Sequence, residues 1–160
     1  MQIRKDVANK TVHIIREFAA PVESVWRTWT ESRLLDQWWA PKPWRAETKS
    51  MDFKKGGYWL YCMVGPQGER HWARVDFTSI DPGKSFEAVD YFCDQDGIRN
   101  PDMPSMKWKN VFNSKGKTTT VEVTIQFETE TDMQKIIEMG FEAGFTAALT
   151  NLDAILINGV

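Results

Sequence analysis

A change of hydrophobic period most limits what this chain can fold into. From Arg45 to Phe127 apolar residues favour every second position; from about residue 132 they recur at helical spacing. Successive strand residues point to opposite faces, whereas a helix returns to the same face after about 3.6 residues. The chain must therefore lay down antiparallel strands and then cover one face of them with an amphipathic helix, an α+β arrangement.

Within the period-two region, "GGYWLYCMV" (56–64) enters a strand through a Gly pair and puts Trp59, Tyr61 and Met63 on one face. "HWARVDFTSI" (71–80) puts Ala73, Val75 and Phe77 on one face and Trp72, Arg74, Asp76 and Thr78 on the other. The turn "DPG" leads into "SFEAVDYF", and "DQDGIRNPDMPS" (94–105) is a loop by composition. "MKWKNVF" pairs through "NSKGK" with "TTTVEVTIQF", a hairpin that buries Val121, Val123, Ile125 and Phe127. Apolar residues from Met133 to Leu156 predict one helix over about 132–157, roughly 38 Å long. Thr131 and Gln134 suit a capping box at its start.

Upstream, residues 1–10 read as a polar N-terminal arm and "TVHIIREF" (11–18) as a strand. Pro21 suits a first helical turn, with Val22, Val25, Trp26 and Trp29 as its apolar stripe. A second short helix follows Thr30 and is stopped by Pro41 and Pro43. At 160 residues the chain suits one domain, assigned to residues 11–160.

The eight Trp and nine Phe are the compositional anomaly. In "LLDQWWAPKPWRAE" (34–47), Trp38 and Trp39 project about 100° apart on a helix, so they serve different faces. Either the cluster packs the short helices on the sheet rim, or Trp39 stands at the mouth of a pocket. Gly140 and Gly144 pose a similar choice. Each costs a helix about 1 kcal/mol relative to Ala, which either backbone close approach or room for a guest would offset. The inward set of Trp59, Tyr61, Met63, Ala73, Val75, Phe77, Trp108 and Phe112, with Phe141 and Phe145 on the helix, makes either a solid core or a cavity wall. His71 and then Asp90 are the candidates for polar groups placed in that wall.

A net charge of -2 from 20 basic and 22 acidic residues disfavours nucleic acid or an anionic membrane as partner. No apolar run is long enough to span a membrane, and the polar N-terminus lacks a secretory core. Cys62 and Cys93 form no disulfide framework, so a cytoplasmic protein with reduced thiols is expected, as a monomer or homodimer. His13 and His71 are the only histidines, and neither a nucleophile elbow nor a metal-ligand spacing is present. Asp94-Gln-Asp96-Gly97 lacks the spacing of a calcium loop. No cofactor, metal or catalytic residue is therefore assigned.

Taken together, "FAAPVESVWRTWTESRLLDQWWAP", "FKKGGYWLYCM", "IDPGKSFEAVD" and "MGFEAGFTAALTNLDAIL" carry a resemblance over about residues 11–157. The chain resembles the START-like (SRPBCC, helix-grip) superfamily, and within it bacterial homologues of the C-terminal domain of the Aha-type activator of the heat-shock chaperone ATPase. The resemblance implies a curved antiparallel sheet wrapped around a long C-terminal helix, with two short helices after the first strand and a cavity between helix and sheet. It departs at Phe145, where family members often have Trp. Three functions follow as expectations. The first is binding of a small apolar molecule by Trp39, Trp59, Tyr61, Met63, His71, Val75, Asp90, Trp108, Phe112, Phe141 and Phe145. The second is a co-chaperone-like contact, and the third is a cyclase or dehydratase using the same cavity.

Overall fold

The computed structural model describes all residues, Met1–Val160. Its elements run β1 (Gln2–Asp6), β2 (Thr11–Phe18), α1 (Val22–Thr30), α2 (Ser32–Trp38), β3 (Arg45–Asp52), β4 (Tyr58–Val64), β5 (Arg70–Asp81), β6 (Ser85–Cys93), β7 (Ser105–Lys115), β8 (Thr118–Phe127), α3 (Glu130–Glu138) and α4 (Phe141–Ile157). The eight strands form one antiparallel sheet in the order β1-β2-β8-β7-β6-β5-β4-β3. This is the expected α+β helix-grip architecture, with both short helices in the connection between β2 and β3.

Alternation fixes which face is buried. Along β8, Val121, Val123, Ile125 and Phe127 all point into the core, and along β7 Met106, Trp108, Asn110 and Phe112 do the same. Register shifts between Thr48 and Ser50 on β3 and between Phe77 and Ser79 on β5 add local bends. Such bulges raise twist and curvature, which suits a sheet that closes around a helix. The β3–β4 bend depends on Gly57: a Cβ there would stand 2.0 Å from the Asp52 carbonyl oxygen, so no other residue fits that approach.

Two expectations need correction. Residues 1–10 contain a strand, β1, paired from Gln2↔Ile15 to Asp6↔Thr11. It lies at the sheet edge, and of its residues only Ile3 is half-buried, so it carries almost no hydrophobic period to detect. The Asp6 carboxylate accepts from the Asn9 backbone N–H at 3.2 Å and its side-chain amide at 2.7 Å, which closes the β1–β2 turn.

The C-terminal helix is also not continuous. Gly140 adopts the left-handed conformation (φ 89°, ψ 25°), ending α3 and starting α4. The apolar spacing runs through the break, which is why periodicity alone missed it. The α3 cap lies two residues earlier than expected, where Thr129 Oγ1 accepts from the Asp132 N–H at 3.0 Å. α4 buries Phe145, Ala148, Leu149 and Leu152, an i, i+3, i+4, i+7 stripe whose larger members each contribute about 2 kcal/mol by burial. Arg16 of β2 pairs with Asp153 of α4. No helix is long and apolar enough to cross a membrane.

Candidate functional site: a cavity between the C-terminal helices and the sheet

α1 and α2 cover one end of the concave sheet face and fill it. Trp38 is fully buried and donates its indole N–H to the Thr28 carbonyl at 2.8 Å. Trp26 and Trp29 of α1 pack edge-on against Phe112 at 5.0 and 5.8 Å between ring centroids. Phe112 is therefore a core residue and lines neither of the two spaces described below, contrary to its assignment from strand phase. The helix above it, rather than the strand, decides this.

Beyond α1 the space opens. A cavity of about 250 Å³ lies between the sheet and the C-terminal helices. Tyr61, Met63, Ala73, Asp90, Phe92, Met106 and Trp108 wall it on the sheet side, Ile136, Met139, Phe141 and Phe145 on the helix side, and Trp39 and Pro41 at one end. Gly140 and Gly144 also line it. A Cβ built on Gly140 would meet nothing within 4 Å, and one on Gly144 would meet only Pro41 Cγ, at 3.9 Å. Neither glycine is there for backbone close packing. Both leave room beside the cavity.

A second, smaller chamber of about 30 Å³ lies deeper, sharing Trp39, Asp90 and Trp108 as walls with the first. Trp29, Leu35, Met51, Trp59, Val75, Phe77, Phe86 and Asn110 complete it. Of the expected site residues, Trp39, Tyr61, Met63, Asp90, Trp108, Phe141 and Phe145 thus line the outer cavity, and Trp59 and Val75 the inner chamber. The structure brings these nine together.

His71 is not among them. It shares the inward phase and pairs with Met63, but stands next to the start of β5, exposed, with its ring 5.4 Å from Trp44. Sequence reasoning passed over Trp29, read as helix packing, and Asn110. A signal for Asn110 existed, since a polar residue stands in the inward register between Trp108 and Phe112.

The aromatic wall is held by directional contacts. Thr48 donates to Asp36 Oδ1 at 2.6 Å and accepts the Trp59 N–H at 2.9 Å, tying β4 to β3 and α2. Trp59 stacks on Tyr61 at 4.0 Å and 20° between planes. The Trp39 N–H donates to the Tyr61 hydroxyl oxygen at 2.9 Å, so Trp39 is fixed edge-on at the cavity end. Asn151 of α4 donates to the Ala40 carbonyl at 3.2 Å and anchors the segment that carries Trp39 and Pro41. Such bonds hold rings in place without filling the space between them.

Asp90 is the one buried carboxylic acid in these walls. Burial disfavours its charged form and pushes its pKa up to about 7, against smaller opposing effects of the Trp108 indole and the Met106 amide. Its Oδ1 has no hydrogen-bond partner of good geometry within the protein, and neither has Trp108 Nε1, although the indole lies near enough to the carboxyl to favour its charged form. Burial, and secondarily the nearby Asp90 charge, also raises the Tyr61 phenol above its ordinary value. Neither His nor Cys lines either space, and no group of His, Cys, Asp and Glu is placed to hold a metal ion. Asp94 instead turns its Oδ1 to the N–H groups of Asp96 and Ile98, at 2.9 and 3.0 Å, and shapes its own loop.

A curved sheet gripping a C-terminal helix over an aromatic-lined cavity defines the START-like, helix-grip class. Residues 19–157 match the model of the family "Activator of Hsp90 ATPase homolog 1-like protein". The chain belongs to that family. The fold recurs in a solution structure from Arthrobacter aurescens, at TM-score 0.93 and 31% identity over 99% of this chain and 92% of that one. It recurs in a Mycobacterium smegmatis protein, at TM-score 0.90 and 29% identity over 98% and 96% of the two chains. A Staphylococcus epidermidis protein is similar at TM-score 0.86 and 28% identity over 100% and 96%. No curated protein matches the sequence.

Proposed function

We propose that this chain is a cytoplasmic binding protein that holds a small apolar molecule, aromatic in character, between α3–α4 and strands β4–β7. The observation that carries this reading is the cavity of about 250 Å³, of whose 16 lining residues 12 are hydrophobic. Small-molecule sites typically span roughly 300–1,000 Å³ and are mostly apolar with few polar groups, so the guest is a compact one of one or two rings. Gly144 supports the same reading, because it forgoes helix stability inside α4 at a position where a side chain would narrow the cavity.

Turnover finds less support. Asp90 is the only acid in the walls, and the Tyr61 hydroxyl is already engaged by Trp39. A chaperone contact is favoured by the family's description alone. Titrating the intrinsic Trp fluorescence with a panel of one- and two-ring aromatic compounds tests the carrier reading. Saturable quenching or a spectral shift is expected, because Trp39 and Trp108 line the cavity. No response to any member of the panel would overturn it.

A further inference from the structure

Five buried side-chain polar atoms have no hydrogen-bond partner in the protein: Trp29 Nε1, Asp90 Oδ1, Trp108 Nε1, Asn110 Oδ1 and Thr120 Oγ1. Four of those five residues, all but Thr120, line the inner chamber. Buried polar atoms are nearly always paired, so four atoms without a well-formed partner, on residues that wall one space of about 30 Å³, need a reason even with the Trp108 indole near the Asp90 carboxyl. They come from three elements, α1, β6 and β7, and are equally divided between donors and acceptors.

Resting on the carrier reading above, we propose that the inner chamber takes a hydroxyl group, so that the ligands of this protein are hydroxyl-bearing aromatic molecules of the phenol or naphthol type. The ring lies in the outer cavity and the hydroxyl reaches past Trp39, Asp90 and Trp108, the walls that the two spaces share. The size fits. A space of about 30 Å³ accepts one or two water-sized atoms and no ring.

Chemistry separates a hydroxyl from the other small polar groups. A hydroxyl both donates and accepts, so it can serve an indole N–H and one of the Asp90 or Asn110 oxygens together. An ammonium group only donates and would set its hydrogens against the two indole N–H groups. A carboxylate only accepts and would set its charge against Asp90. A methyl group leaves all four atoms unpaired.

Equilibrium dialysis of the full chain against naphthol, methylnaphthalene, naphthoate and naphthylmethylammonium tests the proposal, since the four share a ring system and differ at one group. Naphthol is expected to bind about tenfold or more tightly than methylnaphthalene, the usual cost of leaving buried groups unpaired, with the two ions weaker still. In Asp90→Leu and Asn110→Leu chains the naphthol-to-methylnaphthalene ratio should fall toward unity while methylnaphthalene still binds. The ratio is taken within each variant, so a loosened fold moves both probes together. Equal binding of naphthol and methylnaphthalene to the unaltered chain, or a ratio untouched by both substitutions, overturns the hydroxyl pocket and leaves the carrier reading standing. Binding of none of the four overturns both.

Discussion

Replacing Asp90 by Asn should change how the stability of this protein depends on pH. The carboxyl titrates near pH 7 in the folded chain, against an ordinary value of 3.8. A carboxyl whose pKa is raised by folding stabilises the fold fully below its unfolded value, and that contribution is lost as pH rises through the folded value. The window is therefore about pH 4 to 7. Three units at 1.36 kcal/mol each amount to about 4 kcal/mol over the whole window. Between pH 5 and 8 the change is about 3 kcal/mol, because part of the effect lies below pH 5. For a chain of 160 residues that corresponds to a melting temperature lower by about 6–12 °C at pH 8 than at pH 5. Asn keeps the shape and removes the ionisation. The assay is thermal unfolding of both chains at several pH values between 5 and 8, and the quantity read is their difference, which cancels every other titrating group. D90N should already exceed the unaltered chain by about 1–2 kcal/mol at pH 5, and the gap should widen to about 4 kcal/mol by pH 8. Parallel melting curves would show that Asp90 is hydrated or paired when charged, and would refute its place in an apolar wall.

Gly144→Leu should raise the stability by about 0.5–1 kcal/mol through helix propensity while weakening an aromatic probe by about tenfold or more, because its side chain enters open space at the cavity; thermal melts and dialysis read the two opposite effects. Gly140→Ala should cost about 1–2 kcal/mol and lower the melting temperature, since its left-handed backbone, and no steric contact, demands glycine. His71→Ala should leave probe affinity within about twofold, as expected of an exposed residue outside the walls.

The sheet was legible because one buried face imposes a strict alternation. β8 and the inward faces of β4 and β5 stand where that rule puts them. Trp38 and Trp39 divided as two adjacent helical residues must, one into the core and one to the cavity. What alternation cannot report is what lies above each strand position. Phe112 and Trp108 share a phase on β7, yet α1 covers the first with Trp26 and Trp29 while the second faces open space. His71 kept its phase and lost its burial at the start of its strand. Gly140 ended a helix whose apolar spacing continues on both sides, because a left-handed residue interrupts the backbone and not the hydrophobic pattern. The inner chamber was least visible, since Trp29 and Asn110 come from elements that neighbour each other only after folding.

The eight indole N–H groups give eight reporters spread through an 18.5 kDa chain, and their amide-type NMR signals test the carrier claim most directly. On titration with naphthol, the signals of Trp39 and Trp108 should shift most, because both rings line both spaces. Trp44, packed on exposed His71, and Trp72, under Lys49, should hold still. Movement confined to Trp44 and Trp72, or none at any of the eight, would contradict the account.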